Sequence, residues 1–529
     1  MYSSSSPNKG EDNNLLEKLF PFKTITEHIG TIPGYYTGFS KYMNDFVEPY
    51  LTAVNYFMER ERNRLPGTMP LDAFKSYAEL MQFNMDIGTK FFFGSMKAIQ
   101  NYMNAEMNEA ISAFFNMALD PEGIDFKAFI EGKSQNISAV ASEYPQAIEN
   151  IASEFGFQFE NGKHLKVAET ERFILYQVLP SEKDIRIRET GKPVLIIPPF
   201  VLGANILSFL PGEKKSYAHG FADQGIPTYI RVSKDIETTP AVQIMTPEDD
   251  ALDSRYFCRK IRKRHEKPIT LNGYCQGGYT SLINILSGKL DNLADALITC
   301  VAPMDGTRSR KLGGFLQELP KIFNNLDYGT KTLPNGNKVA DGKLMGWIYK
   351  LVSIENETPV ANFLRDMMML KPREGKEMKI SKTAAAINYW LQNERTDLPL
   401  AITDLSFNSY NIPITENGTL PVTLFGRKLN LKGIKEKEIK WLLCYGKKDD
   451  LVEPEVALAP LDYIDVEISP FPKGHVAIAT SWSNPKSRLN LNSRFGENHQ
   501  YRGPVRFQLD LDDEFMEEPV DLEKSYLEN

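Results

Sequence analysis

The chain has 529 residues, 42% of them hydrophobic and 25% charged, enough for one large domain plus a second, or a core with substantial insertions. A net charge of −8 and the lack of a basic stripe interleaved with aromatics exclude general nucleic-acid binding, and no run approaches the roughly 18 apolar residues of a membrane-spanning helix. Cys258, Cys275, Cys300 and Cys444 are spaced unlike a disulfide framework or a zinc site, and the polar start lacks the apolar core of a secretory signal; the expectation is a cytoplasmic, reduced protein without metal or cofactor.

Residues 1–20 are polar and are expected to be a flexible N-terminus, followed by a helical region over 21–160. Its pattern is clearest from about 38 to 155. Phe92, Met96, Ile99, Met103, Met107, Ala110 and Phe114 recur at steps of three and four and form one apolar stripe. Such a stripe packs on the catalytic domain or another helix, or its flexible thioethers present a surface to a partner or an apolar polymer. Asp120–Gly123 should stop that helix, and Gln135–Phe155 suggests another.

From about 165 the pattern changes to short apolar strands alternating with helices. Arg172–Val178, Val194–Ile197, Pro227–Val232, Ile269–Leu271, Ala296–Val301, Lys440–Tyr445 and Tyr463–Ile468 read as strands. Their continuous apolar runs indicate burial on both faces, hence a mostly parallel sheet flanked by helices. The segment between Val301 and Lys440 is far too long for one crossover and reads as an inserted cap, about 305–435, within a catalytic domain spanning 161–490. Within it Phe363–Leu370 looks helical and Pro334–Asn337 reads as a tight turn. Residues 491–529 form an acidic C-terminal tail, and from Asp510 onward a solvated, disordered segment is expected.

The chemistry concentrates in Gly273-Tyr274-Cys275-Gln276-Gly277-Gly278, directly after the strand Ile269–Leu271. This glycine spacing is that of a nucleophile elbow, where a strand turns sharply into a helix and exposes one strained side chain. Here that side chain is Cys275. A sulfur nucleophile forms a thioester that keeps its acyl group activated for a second transfer. A nearby base must favour the thiolate, and the dipole of the following helix helps. Of the six histidines His475 follows directly on the last strand, which makes it the expected base. The orienting acid should follow the preceding strand, where Asp449 fits a Gly-x-x-Asp spacing from Gly446 and Asp450 stands four residues before Pro454. For the oxyanion, the backbone amide of Gln276 is the expected first donor. The second should come from the loop after Ile197, where Pro198 and Pro199 cannot donate, leaving Phe200 or Val201, with Phe200 preferred.

At these residues, from about 190 to 490, the chain resembles the polyhydroxyalkanoate synthases of the α/β-hydrolase superfamily. Gly273–Gly278 match that family's Gly-x-Cys-x-Gly-Gly elbow, Pro198–Phe200 its Pro-Pro-aromatic loop, and Gly474-His475 its Gly-His motif. Ala302–Asp305 and Asn388–Pro399 are similar to two further family segments, and Asp449–Pro454 parallels its acid-Asp-His-Ile-x-Pro motif. The resemblance implies an α/β-hydrolase fold with a helical N-terminal region and a triad of Cys275, Asp450 and His475. It implies polymerisation of (R)-3-hydroxyacyl groups with release of coenzyme A, by a homodimer on the surface of a storage granule. Leu451 and Glu455 depart from the family's histidine and tryptophan, and the tryptophan-rich C-terminal segment is missing. A cysteine-dependent thioesterase or hydrolase of the same fold, and a non-catalytic granule-associated homologue, are the alternative readings.

Overall fold

The computed structural model describes residues 32–119, 132, 135–321, 324–370 and 380–517. They group into two compact units: residues up to Asn55 with Met69–Ile151 and Ser353–Asn388, and Tyr56–Thr68 with Ala152–Val352 and Tyr389 onward. The insertion expected as one cap is therefore divided, because 353–388 group with the N-terminal helices.

The first unit is helical, built on α1 (Ile32–Arg64, as far as Asn55) and α2 (Pro70–Leu119), with the later helix Pro359–Met369. The Tyr42 hydroxyl donates to Asp366 at 2.6 Å, and the Phe363 ring meets Phe39 and Tyr42 edge-on. Asn136 donates to the Met367 carbonyl at 2.7 Å. α2 passes Glu355 so closely that a Cβ on Gly94 would lie 2.3 Å from its carbonyl oxygen. Of the predicted stripe, Phe92, Met96, Met103 and Met107 are 48–59% exposed among the described residues. Asp120–Gly123 lie outside the described residues.

The second unit is an α/β-hydrolase fold. Eight strands, β1 (Leu165–Glu169), β2 (Phe173–Val178), β3 (Val194–Ile197), β4 (Thr228–Ser233), β5 (Ile269–Tyr274), β6 (Ala294–Cys300), β7 (Lys440–Gly446) and β8 (Glu467–Phe471), form one sheet in the order β1-β2-β4-β3-β5-β6-β7-β8. β2 runs antiparallel to β1 and β4, and every other pairing is parallel. Val194–Ile197 and Ile269–Tyr274 are buried throughout, as central strands covered on both faces must be; the first is apolar without a break, while the second also buries Thr270 and Asn272. β1 escaped sequence detection because it is an edge strand with mostly exposed residues and two charges in five positions. β8 begins later than the 463–468 expected, because Ala459–Asp462 coil into a 3-10 turn and Glu467 is the first residue to pair, opposite Leu442.

The crossover helices carry local signals that agree with their positions. α3 (Pro247–His265) opens with a reciprocal capping box between Thr246 and Asp249 and proline at its first position. Acidic residues fill its first turn and Arg262–His265 its last, matching the helix dipole. α4 (Gln276–Leu286) follows β5, and α5 (Leu400–Asn411) lies in the insertion after a short hairpin turning at Pro334–Asn337.

The acidic terminus departs from expectation. Pro504–Glu517 form α6, with Val505, Phe507 and Leu511 buried, while 518–529 lie outside the described residues. Asp510 binds Arg494 at 2.5 Å, Arg502 at 2.7 Å and Arg506 at 2.5 Å. Asp512 accepts from the Lys192 amide at 2.8 Å and from Lys267 at 2.9 Å. Cations from distant segments neutralise these carboxylates, so the helix docks where its charge run alone suggested solvation.

Candidate active site

Cys275 stands between β5 and α4 with φ 52° and ψ −126°, a conformation that costs a non-glycine residue energy and marks the sharp strand-to-helix turn. The surrounding structure holds it there: its N–H donates to the Cys300 carbonyl on β6 at 2.8 Å, and its own carbonyl accepts from Gly278 at 2.9 Å. The flanking glycines are sterically required. A Cβ on Gly273 would lie 2.3 Å from the Gly277 carbonyl oxygen, and one on Gly277 would lie 2.2 Å from the carbonyl oxygen of Ile197. Both obstacles are backbone and cannot rotate away. Gly277→Ala is therefore expected to destabilise the protein by about 3 kcal/mol, read as a lowered denaturant midpoint.

His475 follows β8, and its position is set by contacts with the neighbouring loops. Tyr274, the residue before the nucleophile, donates its hydroxyl to the His475 carbonyl at 2.7 Å. The loops after β7 and β8 are tied together by Lys447 N–H to Phe471 O at 2.6 Å and Lys448 N–H to Lys473 O at 3.2 Å. The imidazole Nδ1 lies 2.9 Å from Oδ2 of Asp449. This corrects the assignment that the resemblance implied: Asp450 does not reach the ring. Its side chain is 80% exposed and pairs with Lys311 at 2.6 Å. The turn Gly446–Asp449, closed by Asp449 N–H to Gly446 O, directs the two neighbours oppositely. Asp449 points inward, where its other oxygen accepts from the amides of Leu451 and Val452, both at 2.9 Å. The shorter Gly-x-x-Asp spacing was the local signal for it.

Nε2 of His475 is buried and makes no hydrogen bond of ordinary geometry. Cys275 nevertheless acts on the ring. Burial disfavours the imidazolium, but the charge and hydrogen bond of Asp449, together with the charge of Cys275, outweigh it and hold the histidine well above its ordinary pKa. A base whose hydrogen bond to its nucleophile is loose without substrate is common in such sites.

Of the expected oxyanion donors, Gln276 is the first residue of α4, and its N–H lies at the helix N-terminus, where no intrahelical acceptor exists. The Phe200 N–H is engaged by the Gln276 side chain, whose Oε1 lies 3.3 Å away. Val201, the other donor considered, is buried in the same turn.

Two tyrosines from the insertion lie within electrostatic range of Cys275, and no sequence motif marked them. Tyr349 is pushed up to about 12 by burial and then by Cys275. Tyr410, on α5, is raised further, by burial first and then by Tyr349, Cys275 and Asp449. Its ring packs on Gly306, where a Cβ would come within 2.4 Å of it. Cys258, Cys300 and Cys444 are buried in α3, β6 and β7 and serve packing. His164, His219 and His265 bond elsewhere, to the Leu179 amide, Ser216 and Tyr229 respectively. A cavity of about 340 Å³ borders the Pro198–Phe200 turn and is also lined by Phe173, Arg231, Glu394 and Asp397, but not by Cys275 or His475. Among the described residues no cluster of histidine, cysteine or carboxylate side chains could hold a metal ion, and no helix is long and apolar enough to cross a membrane.

No family model and no curated protein matches the chain. Among solved structures it is similar to a proline iminopeptidase from Mycobacterium smegmatis, at 12% identity and a TM-score of 0.34, covering 66% of this chain and 99% of that one. It is similar also to the thioesterase domain from the curacin biosynthetic pathway, at 13% identity and TM-score 0.29, covering 60% and 95% of the two chains. Est1E from Butyrivibrio proteoclasticus gives 11% identity and TM-score 0.30, covering 67% and 97%. The strand order and the strained turn at Cys275 are those of the α/β-hydrolase fold.

Proposed function

We propose that the protein is an acyltransferase that polymerises (R)-3-hydroxyacyl groups from coenzyme A thioesters through an acyl-cysteine at Cys275. The observation that carries this reading is a cysteine, rather than a serine, on the strained turn after β5, with the His475–Asp449 pair behind it. His475 removes the thiol proton and Cys275 Sγ attacks the thioester carbonyl. The tetrahedral oxyanion collapses, the coenzyme A thiolate leaves, and the imidazolium returns the proton to it. Exchange of one thioester for another is nearly thermoneutral, so the acyl group stays reactive. His475 then deprotonates the hydroxyl of a second unit or chain end, which attacks the acyl-cysteine and forms an oxoester in a downhill step. Asp449 holds the ring tautomer and stabilises the imidazolium.

The enclosure of the site supports transfer over hydrolysis: Cys275 is only 7% and His475 9% exposed, so bulk water has little access to the acyl-enzyme. A homodimer and association with a polyester granule belong to the same reading. The test is to supply 3-hydroxybutyryl-coenzyme A to the full chain. Released coenzyme A together with an insoluble polyester is the expected result. Free hydroxyacid as the sole product would reject polymerisation in favour of a thioesterase, and coenzyme A release no faster than without protein would reject both.

A further inference from the structure

The turn after β3 is fastened to the insertion by a chain of hydrogen bonds that converges on one possible oxyanion donor. The Phe200 carbonyl accepts from Thr396 Oγ1 at 3.1 Å, and the Leu202 carbonyl from Trp390 Nε1 at 3.1 Å. Asn205 Nδ2 donates to Glu394 Oε1 at 2.9 Å. The Phe200 N–H donates to Gln276 Oε1 at 3.3 Å, while Gln276 Nε2 donates to Ser406 Oγ on α5 at 2.6 Å. Ser406 Oγ lies 3.4 Å from the Ile402 carbonyl, to which it donates, leaving a lone pair for Gln276.

The donor directions allow one arrangement. With the amide turned over, Gln276 Nε2 would face the Phe200 N–H, donor against donor. The Phe200 N–H, which can only donate, therefore fixes which end of the Gln276 amide it meets, and Ser406 Oγ holds the other end.

We propose that the Gln276 side chain is a latch on the oxyanion site: it occupies the Phe200 N–H at rest, and Ser406 on α5 sets how firmly it is held. The inference rests on the acyl-cysteine reading above. The Phe200–Gln276 bond is long and neutral, whereas a bond from the same amide to a developing oxyanion is charge-assisted and about twice as strong. A ground-state carbonyl competes poorly with the Gln276 oxygen, and a tetrahedral oxyanion displaces it. The second donor is thereby recruited as negative charge develops, an interaction made in the transition state and not in the ground state. Gln276 thus has two parts with opposite effects, a backbone amide that donates to the oxyanion and a side chain that withholds the neighbouring donor. Withdrawal of α5 would release the latch from its other end. Gln276 and Ser406 are positioning residues acting through the Phe200 amide.

The experiment measures the burst of coenzyme A released as Cys275 becomes acylated, in the full chain and in Ser406→Ala and Gln276→Met. Alkylation of Cys275 by iodoacetamide serves as the control, because it needs the thiolate and no oxyanion site. Ser406→Ala is expected to raise the acylation rate about three-fold and Gln276→Met about five-fold, the worth of one neutral hydrogen bond no longer to be broken. Alkylation rates should stay within about two-fold of the parent, since no oxyanion forms in that reaction. Unchanged or slower acylation in both variants would overturn the latch, as would parallel changes in acylation and alkylation, the mark of a merely structural role. A parent chain that gains no acyl mass on mixing with substrate rejects the acyl-cysteine itself, an outcome separate from a normal parental burst with unaltered variants.

Discussion

Asp449→Asn is expected to lower coenzyme A release by about 10³–10⁴-fold, while Asp450→Asn leaves it within about two-fold of the parent. The two residues are adjacent and chemically identical, so the contrast tests geometry alone. Asp449 is buried at 2.9 Å from the imidazole and tied to the Leu451 and Val452 amides. Asparagine can keep the latter contacts while losing the charge that stabilises the imidazolium and the tautomer that points Nε2 towards sulfur. Asp450 lies in solvent on Lys311, and an exposed ion pair of this kind is worth about 0–1 kcal/mol. Steady-state release from a thioester substrate reads the difference directly. Equal losses in the two variants, or a larger loss for Asp450→Asn, would remove Asp449 from the acid's place.

Cys275→Ala should abolish turnover, by about 10⁴-fold or more, because every covalent step passes through its sulfur. Folding should be unaffected or slightly improved, since the side chain is small and the neighbouring backbone contacts do not involve it. Cys275→Ser is the sharper variant. The hydroxyl is far harder to ionise than a thiol. Serine should therefore restore only a small part of the lost rate. The oxoester it forms would also be less activated for transfer to a second hydroxyl. Mass spectrometry of the intact chain after mixing with substrate should show an acyl adduct in the parent and none in Cys275→Ala. Turnover retained by the alanine variant would end the proposed mechanism.

Much of the sheet was legible because its central strands are covered on both faces and so are mostly apolar. Val194–Ile197 was read at its observed limits, and the strands Phe173–Val178 and Lys440–Gly446 within one residue. Edges were not legible in this way: Leu165–Glu169 is held by hydrogen bonds to β2 while its side chains meet water, so it carries no apolar run. α6 failed for the opposite reason. Its acidic residues describe a solvated segment until Arg494 and Arg502 are brought around Asp510 by the fold, beside Arg506 one turn away on the same helix.

The amino-acid order by itself determined the elbow. The spacing Gly273, Cys275, Gly277 and Gly278 encodes a local backbone geometry, and the steric limits that demand it act between near neighbours and the adjoining strand β3. It pointed to the histidine as well, since His475 stands directly after the last strand. Only the tertiary structure decided which aspartate serves it, because adjacent turn residues point to opposite sides and a one-residue shift exchanges burial for solvent. Only the tertiary structure brought Tyr349, Tyr410 and Ser406 towards a cysteine far away in sequence. Such pairings carry no local periodicity, as they depend on where a long insertion lands and not on the residues flanking it.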